Sequence, residues 1–163
     1  MRIPVLVYHS ISNDGSNLSL NINNFEKQII YLKNKNFKTI NFDQVNNVDK
    51  KQIIITFDDG YKDLIHNVLP ILKKYNFTAT CFVVTNLIGT KNSWDSNKKK
   101  YNLKNLMDIN DINEWVSQGM FIGSHSHNHL DLTALSINEL SNELIFSKKI
   151  LEDKIGIKIN NFC

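Results

Sequence analysis

The sequence predicts an α/β protein built on a parallel sheet, open or closed into a barrel. Short apolar runs alternate along the chain with stretches of helical spacing. The runs are rich in β-branched and aromatic residues, and they show little of the in-and-out alternation of a strand with one wet face. Strands buried on both faces read this way, and strand and helix taking turns is the signature of parallel crossover connections.

The first strand is expected over residues 3–8, where Ile3, Val5, Leu6, Val7 and Tyr8 follow one another. Phe25, Ile29 and Leu32 then repeat at helical spacing. Residues 39–42 and 53–57 read as the next two strands, the second opening on Ile53-Ile54-Ile55. Pro70 suits the first turn of a helix running through residues 71–75. A further strand covers residues 78–84.

Residues 86–110 are long and polar, with Trp94 and Tyr101 set among Asn, Lys and Asp. They form either a loop near a site or an insertion with a short helix, and the loop is favoured. Residues 121–123 form the last expected strand. The closing helix opens with Ser136 and Glu139 in a capping box and repeats Leu140, Leu144, Leu151 and Ile155 along one side. No internal repeat or low-complexity linker interrupts this order.

A chain of 163 residues that is 42% apolar, with two prolines, can bury one core, so residues 1–163 are expected to form one domain. The net charge of +3 comes from 19 basic against 16 acidic residues, too even a balance to point to nucleic acid. The Lys98, Lys99, Lys100 run reads as a solvated loop. Cys81 lies in an apolar run and Cys163 is the last residue, so neither has the spacing of a metal pair or a disulfide framework. A reducing compartment follows. The N-terminal apolar run is too short for a signal peptide or a membrane span, which places the chain as written in the cytoplasm, though a trimmed leader would leave the same sequence.

In a parallel α/β sheet, function gathers beyond the C-terminal ends of the strands. The residues just past three expected strands are His9, the pair Asp58 and Asp59, and His125. Two adjacent carboxylates before Gly60 would repel each other. A cation relieves that repulsion: one acid ligates it while the other stays free to take a proton from an activated water. The alternative is a helix N-cap formed by either acid. Three histidines fall within Gly123-Ser124-His125-Ser126-His127-Asn128-His129. His125 and His129, four apart, could share one side of a helical turn and face the same ion, with His127 projecting elsewhere. Two histidines, one carboxylate and a water are a familiar set for zinc or a similar divalent ion.

Thr56-Phe57-Asp58-Asp59-Gly60 and the His125, Ser126, His129 spacing resemble the two signatures of the polysaccharide deacetylase family, the NodB-homology or family 4 carbohydrate esterases. The likeness extends through residues 69–75, 79–83 and 122–125, nearly the whole chain. It implies a (β/α) barrel of the distorted seven-stranded deacetylase type and hydrolytic N-deacetylation of an N-acetylated carbohydrate, an N-acetylhexosamine-containing glycan or precursor. By the same resemblance Asp58 is the base, Asp59, His125 and His129 hold one divalent ion (Zn2+, with Co2+ or Ni2+ as alternatives), and Ser126 steadies the turn.

The opening residues 4–10 look like the branch acting on poly-N-acetylglucosamine, in which a histidine near the N-terminus serves as general acid. His9 matches it. The alternative is a histidine that caps the first strand's hydrogen bonds. His66 is expected on the surface.

The family continues with a third, aromatic-proline signature often preceded by arginine, which this chain does not reach, and its one arginine is Arg2. The barrel is therefore expected to be incomplete at the C-terminus, as a fragment or a naturally short member, and its open edge could drive self-association. A catalytically silent metal- or glycan-binding module is the alternative function. A nucleotide-binding domain is discounted because no Gly-rich phosphate loop follows the first strand.

Overall fold

The computed structural model describes residues 2–45, 50–95 and 102–163. The Lys98 to Lys100 run and Tyr101 lie outside the described residues. The strands are β1 (Val5–Tyr8), β2 (Ser10–Ile11), β3 (Ser19–Leu20), β4 (Lys38–Thr39), β5 (Gln52–Phe57), β6 (Thr80–Val83) and β7 (Phe121–Ser124). The α-helices are α1 (Ile22–Asn34), α2 (Leu69–Tyr75), α3 (Ile109–Ser117) and α4 (Ile137–Ile155).

The main sheet runs β1, β5, β6, β7 with every pairing parallel, as the alternation predicts. Residues 161–163 continue it beyond β7: the Ser124 amide donates to the Asn161 carbonyl at 2.9 Å and the Cys163 amide to the Ser124 carbonyl at 3.1 Å. Among the described residues no pairing joins this end to β1. On β1, Val5 and Val7 are exposed.

The strand expected over residues 39–42 is shorter and earlier. In this stretch the two residues of β4 alone are paired, with β5 on the edge opposite β1, and β6 takes over that edge from Thr56 onward. Phe42–Gln44 instead form a 3-10 turn, closed by the Asn41 amide donating to the Gln44 side chain at 3.0 Å.

Helix α1 buries Phe25, Ile29 and Leu32, the three residues whose spacing predicts it. Pro70 sits in the first turn of α2, which follows a π-helical turn over Leu64–Val68 and ends on left-handed Asn76. Helix α3 has its own capping box, Asp108 accepting from the Asp111 amide while Asp111 accepts from the Asp108 amide. It buries Trp115, whose indole N–H donates to the Phe121 carbonyl at 3.0 Å. Tyr8, Phe25, Phe57 and Trp115 form a chain of ring contacts across the core. Such pairs add roughly 0.5–1.5 kcal/mol each beyond the area they bury.

Helix α4 keeps the expected Ser136 and Glu139 box and ends on left-handed Gly156. Its buried residues are Glu143, Ser147 and Leu151, whereas Leu140, Leu144 and Ile155 are only half-buried. The inward face carries polar groups because each has a partner below it: Ser147 meets the Ser124 hydroxyl at 2.6 Å, and Glu143 meets the loop after β7. Among the described residues no helix is long and apolar enough to cross a membrane.

Candidate active site

The parallel register brings the C-terminal ends of β1, β5 and β7 to one side of the sheet, and the ionisable residues follow directly. Asp58 still belongs to the ladder, its amide donating to the Tyr8 carbonyl at 2.9 Å. The chain then turns through two consecutive left-handed residues, Asp59 at φ 72° and Gly60 at φ 75°. Glycine takes that conformation without strain and aspartate tolerates it better than most residues. The turn sends the Asp59 carboxylate across the strand ends toward β7. Neither acid caps a helix: the next helical turn begins at Leu64, with Asp63 at its cap and no side-chain cap bond.

The histidine segment is not the helical turn that a spacing of four suggests. Ser126 and His129 both have positive φ, 60° and 58°, which an α-helix excludes. The amides that a helix would use inwardly are bound elsewhere. The Ser126 hydroxyl accepts from the His129 amide at 3.1 Å, and Glu143 accepts from the His127 and Asn128 amides at 2.9 and 2.8 Å. The result still converges His125 and His129, with ring centroids 5.1 Å apart. His127 turns away, its Nδ1 lying 2.9 Å from the Thr85 hydroxyl, and His66 is exposed, as the sequence suggests for both.

Asp59 Oδ1 lies 3.4 Å from His125 Nε2 and 3.3 Å from His129 Nε2. A tetrahedral ion with bonds of about 2.0–2.1 Å has ligand-to-ligand edges of about 3.3–3.4 Å, so this separation suits one small divalent cation. The oxygen is fully buried and has no hydrogen-bond partner, as expected of an atom whose natural partner is a metal. Asp58 Oδ1 is buried and unpartnered in the same way.

The electrostatics separate the two acids. Burial pushes the Asp58 carboxyl above its ordinary value, with the charges of His125 and His9 acting against the rise. Burial works in the same direction on Asp59, but the adjoining His129 imidazole and the charges of His125 and His129 outweigh it and hold that carboxyl below its ordinary value. Burial also lowers His125, favouring the neutral imidazole that a metal needs. His9, half-buried at the end of β1, completes the set of expected site residues on this face.

Four neighbours were not foreseen as parts of the site. Tyr61 is buried, and burial together with the nearby charges of Asp59 and Asp95 raises the phenol's pKa well above its ordinary value. Trp94 stacks on the His129 ring with centroids 4.4 Å apart. Glu143 holds the histidine loop. The Cys163 thiol clusters with Asp58 and His125, their polar atoms all within 4.8 Å of one another. Tyr61 follows the acid pair directly and Trp94 is the aromatic residue in a polar loop, so both had a signal. Glu143 had none, because a carboxylate in mid-helix reads as surface.

The model of the polysaccharide deacetylase family matches residues 45–163, and the chain belongs to that family. A poly-beta-1,6-N-acetyl-D-glucosamine N-deacetylase of Staphylococcus epidermidis is 31% identical over 151 residues, covering 88% of this chain and 48% of that protein. YxkH of Bacillus subtilis is 30% identical over 159 residues, covering 93% of this chain and 52% of that protein. Among solved structures, the Streptococcus pyogenes deacetylase PplD in complex with acetate aligns with a TM-score of 0.82 at 27% identity, over 99% of this chain and 73% of that one. The chain thus spans about half the length of the curated relatives it matches.

Proposed function

We propose that this chain catalyses metal-dependent hydrolysis of the N-acetyl group of an N-acetylhexosamine-containing glycan, with Asp59, His125 and His129 holding one divalent ion, Zn2+ in the first instance. The observation that carries this reading is the convergence of Asp59 Oδ1 on two imidazole Nε2 atoms at 3.3 and 3.4 Å beside a second buried, unpartnered carboxylate. Relatives named for deacetylation of poly-beta-1,6-N-acetyl-D-glucosamine make that polymer, or its oligomers, the substrate of choice.

A bound divalent ion supplies Lewis-acid polarisation of the acetamide carbonyl and a nucleophile at neutral pH. Asp58 is the base that takes the proton from the attacking water. Its raised pKa suits that role, since a more basic carboxylate accepts a proton more readily. His9, across from Asp58 at the end of β1, protonates the departing amine. Asp59 keeps its charge because His125 and His129 hold its carboxyl low, so it remains a ligand and does not compete as a base.

The test is acetate release from N-acetylglucosamine oligomers by Zn2+-loaded protein, beside Asp58→Asn with bound metal measured in both. Release that Asp58→Asn abolishes while metal is retained supports the reading. Stoichiometric metal without release would favour the silent module instead, and absence of bound metal would overturn the site.

A further inference from the structure

We propose that Trp94 is a positioning residue for the metal centre, fixing the ring of His129 by stacking; the inference rests on the reading of Asp59, His125 and His129 as ligands. His129 needs such help. Its side chain is 32% exposed against 16% for His125, and its backbone sits in the left-handed region. Its Nε2 must nonetheless stay 3.3 Å from Asp59 Oδ1.

The support for Trp94 is built from the backbone outward. Residues 89–91 and 105–107 form an antiparallel ribbon, with the Leu106 amide donating to the Thr90 carbonyl and the Gly89 amide to the Met107 carbonyl, both at 2.9 Å. That ribbon is stitched to the turn carrying Asp59. The Met107 amide donates to the Gly60 carbonyl at 2.8 Å and the Lys62 amide to the Asn105 carbonyl at 2.9 Å. At the ribbon's tip the buried Asn92 amide donates to the Tyr61 hydroxyl, Asp95 and the Asn102 carbonyl, while its oxygen accepts from the Lys104 amide at 2.6 Å.

Asn92 and Asp95 are both buried, so the short turn Ser93–Asp95 has little freedom. Trp94 projects from it onto His129 with an interplanar angle of 20°. One loop thereby reaches both sides of the site: the turn of Asp59 through the Gly60 carbonyl, and His129 through Trp94. Partners that orient ligands in this way commonly change metal affinity by about 10- to 100-fold when removed.

A tryptophan that only fills space in the loop would be replaceable by leucine; one that fixes an imidazole plane would be replaceable by phenylalanine alone. The experiment is calorimetric titration of the metal-free protein with Zn2+ for wild type, Trp94→Phe, Trp94→Leu and Trp94→Ala, with the visible spectrum of each Co2+-loaded form. Phenylalanine is expected to bind within a few-fold of wild type, while leucine and alanine bind about 10-fold or more weakly and shift the Co2+ bands. Leucine binding as tightly as phenylalanine, with an unchanged spectrum, overturns the proposal, and that pair decides it even if alanine does not fold. A wild type that takes up no Zn2+ would sink the metal reading itself, whereas tight wild-type binding with unaffected variants removes only the role given to Trp94.

Discussion

Glu143 Oε2 accepts the backbone amide of Asn128 at 2.8 Å, so a carboxylate in the middle of α4 holds the loop that carries His125 and His129. The same oxygen takes the His127 amide at 2.9 Å, and the other oxygen takes the Asn128 side chain. Glu143→Ala leaves these groups unpaired in a buried place, and an abandoned buried donor costs about 1–3 kcal/mol. A loss of roughly 2–4 kcal/mol is expected in urea unfolding, together with weakened Zn2+ binding. Glu139→Ala removes only the exposed cap of the same helix, and is expected to cost about 1 kcal/mol without touching the metal.

Glu143 also sets a pH dependence. Burial opposes its ionisation, but the Asn128 and His127 bonds outweigh burial and hold the carboxyl below its ordinary value of 4.5. A depressed folded-state value means that the charged form stabilises the fold. The contribution is complete above the unfolded value and disappears as pH falls through the lower folded one. Thermal unfolding of wild type and Glu143→Gln between pH 7 and pH 3 checks this: the gap between them should narrow in the acidic range. A gap independent of pH would show that the charge contributes nothing.

Much of this was legible in the sequence because hydrophobic burial writes a period. Ile53 to Ile55 announce a strand with no wet face, and Phe25, Ile29 and Leu32 announce a helix; each holds in the structure. The acid pair and the histidines were legible because parallel topology assigns strand ends to one face. What the period cannot show is a polar interior. Glu143 and Ser147 look like the solvent side of α4, yet bonds to the loop amides and to the Ser124 hydroxyl bury them, while Leu140 and Leu144 stay half-buried. Nor does a spacing of four reveal that His125 and His129 meet through left-handed Ser126 and His129 rather than a helix. Helix α3 was missed although Asp108, Asp111, Ile112 and Trp115 spell out a capped amphipathic turn.

Metal should stabilise the fold in proportion to its binding. Zn2+ at 100 times its dissociation constant adds about 2.7 kcal/mol, which for a chain of this size raises Tm by roughly 5–10 °C. His125→Ala and Asp59→Ala are expected to abolish the rise, and EDTA to reverse it in wild type. His127→Ala, whose ring faces Thr85, should leave the rise intact. A thermal-shift series with the four proteins distinguishes site binding from adventitious metal, because adventitious binding would raise all of them alike.

Gly123 lies in β7 two residues before His125, and a Cβ built on it would fall 2.4 Å from Phe82 Cδ1 and 3.0 Å from the Asn161 carbonyl oxygen. The first contact is with a buried ring on the neighbouring strand and the second with backbone, so neither can yield cheaply. Gly123→Ala is therefore an overpacking substitution, expected to cost about 1–3 kcal/mol. It also pushes on the two segments flanking β7, and weaker Zn2+ binding should accompany the lost stability. Gly60→Ala is the useful contrast. Its Cβ would meet Val83 at an ordinary 3.4 Å, so its penalty comes from the left-handed φ of 75°, about 1–2 kcal/mol. Urea midpoints at constant m-value measure both. If Gly123→Ala matched wild type, the close packing of β6 against β7 at the base of the histidine loop would be wrong.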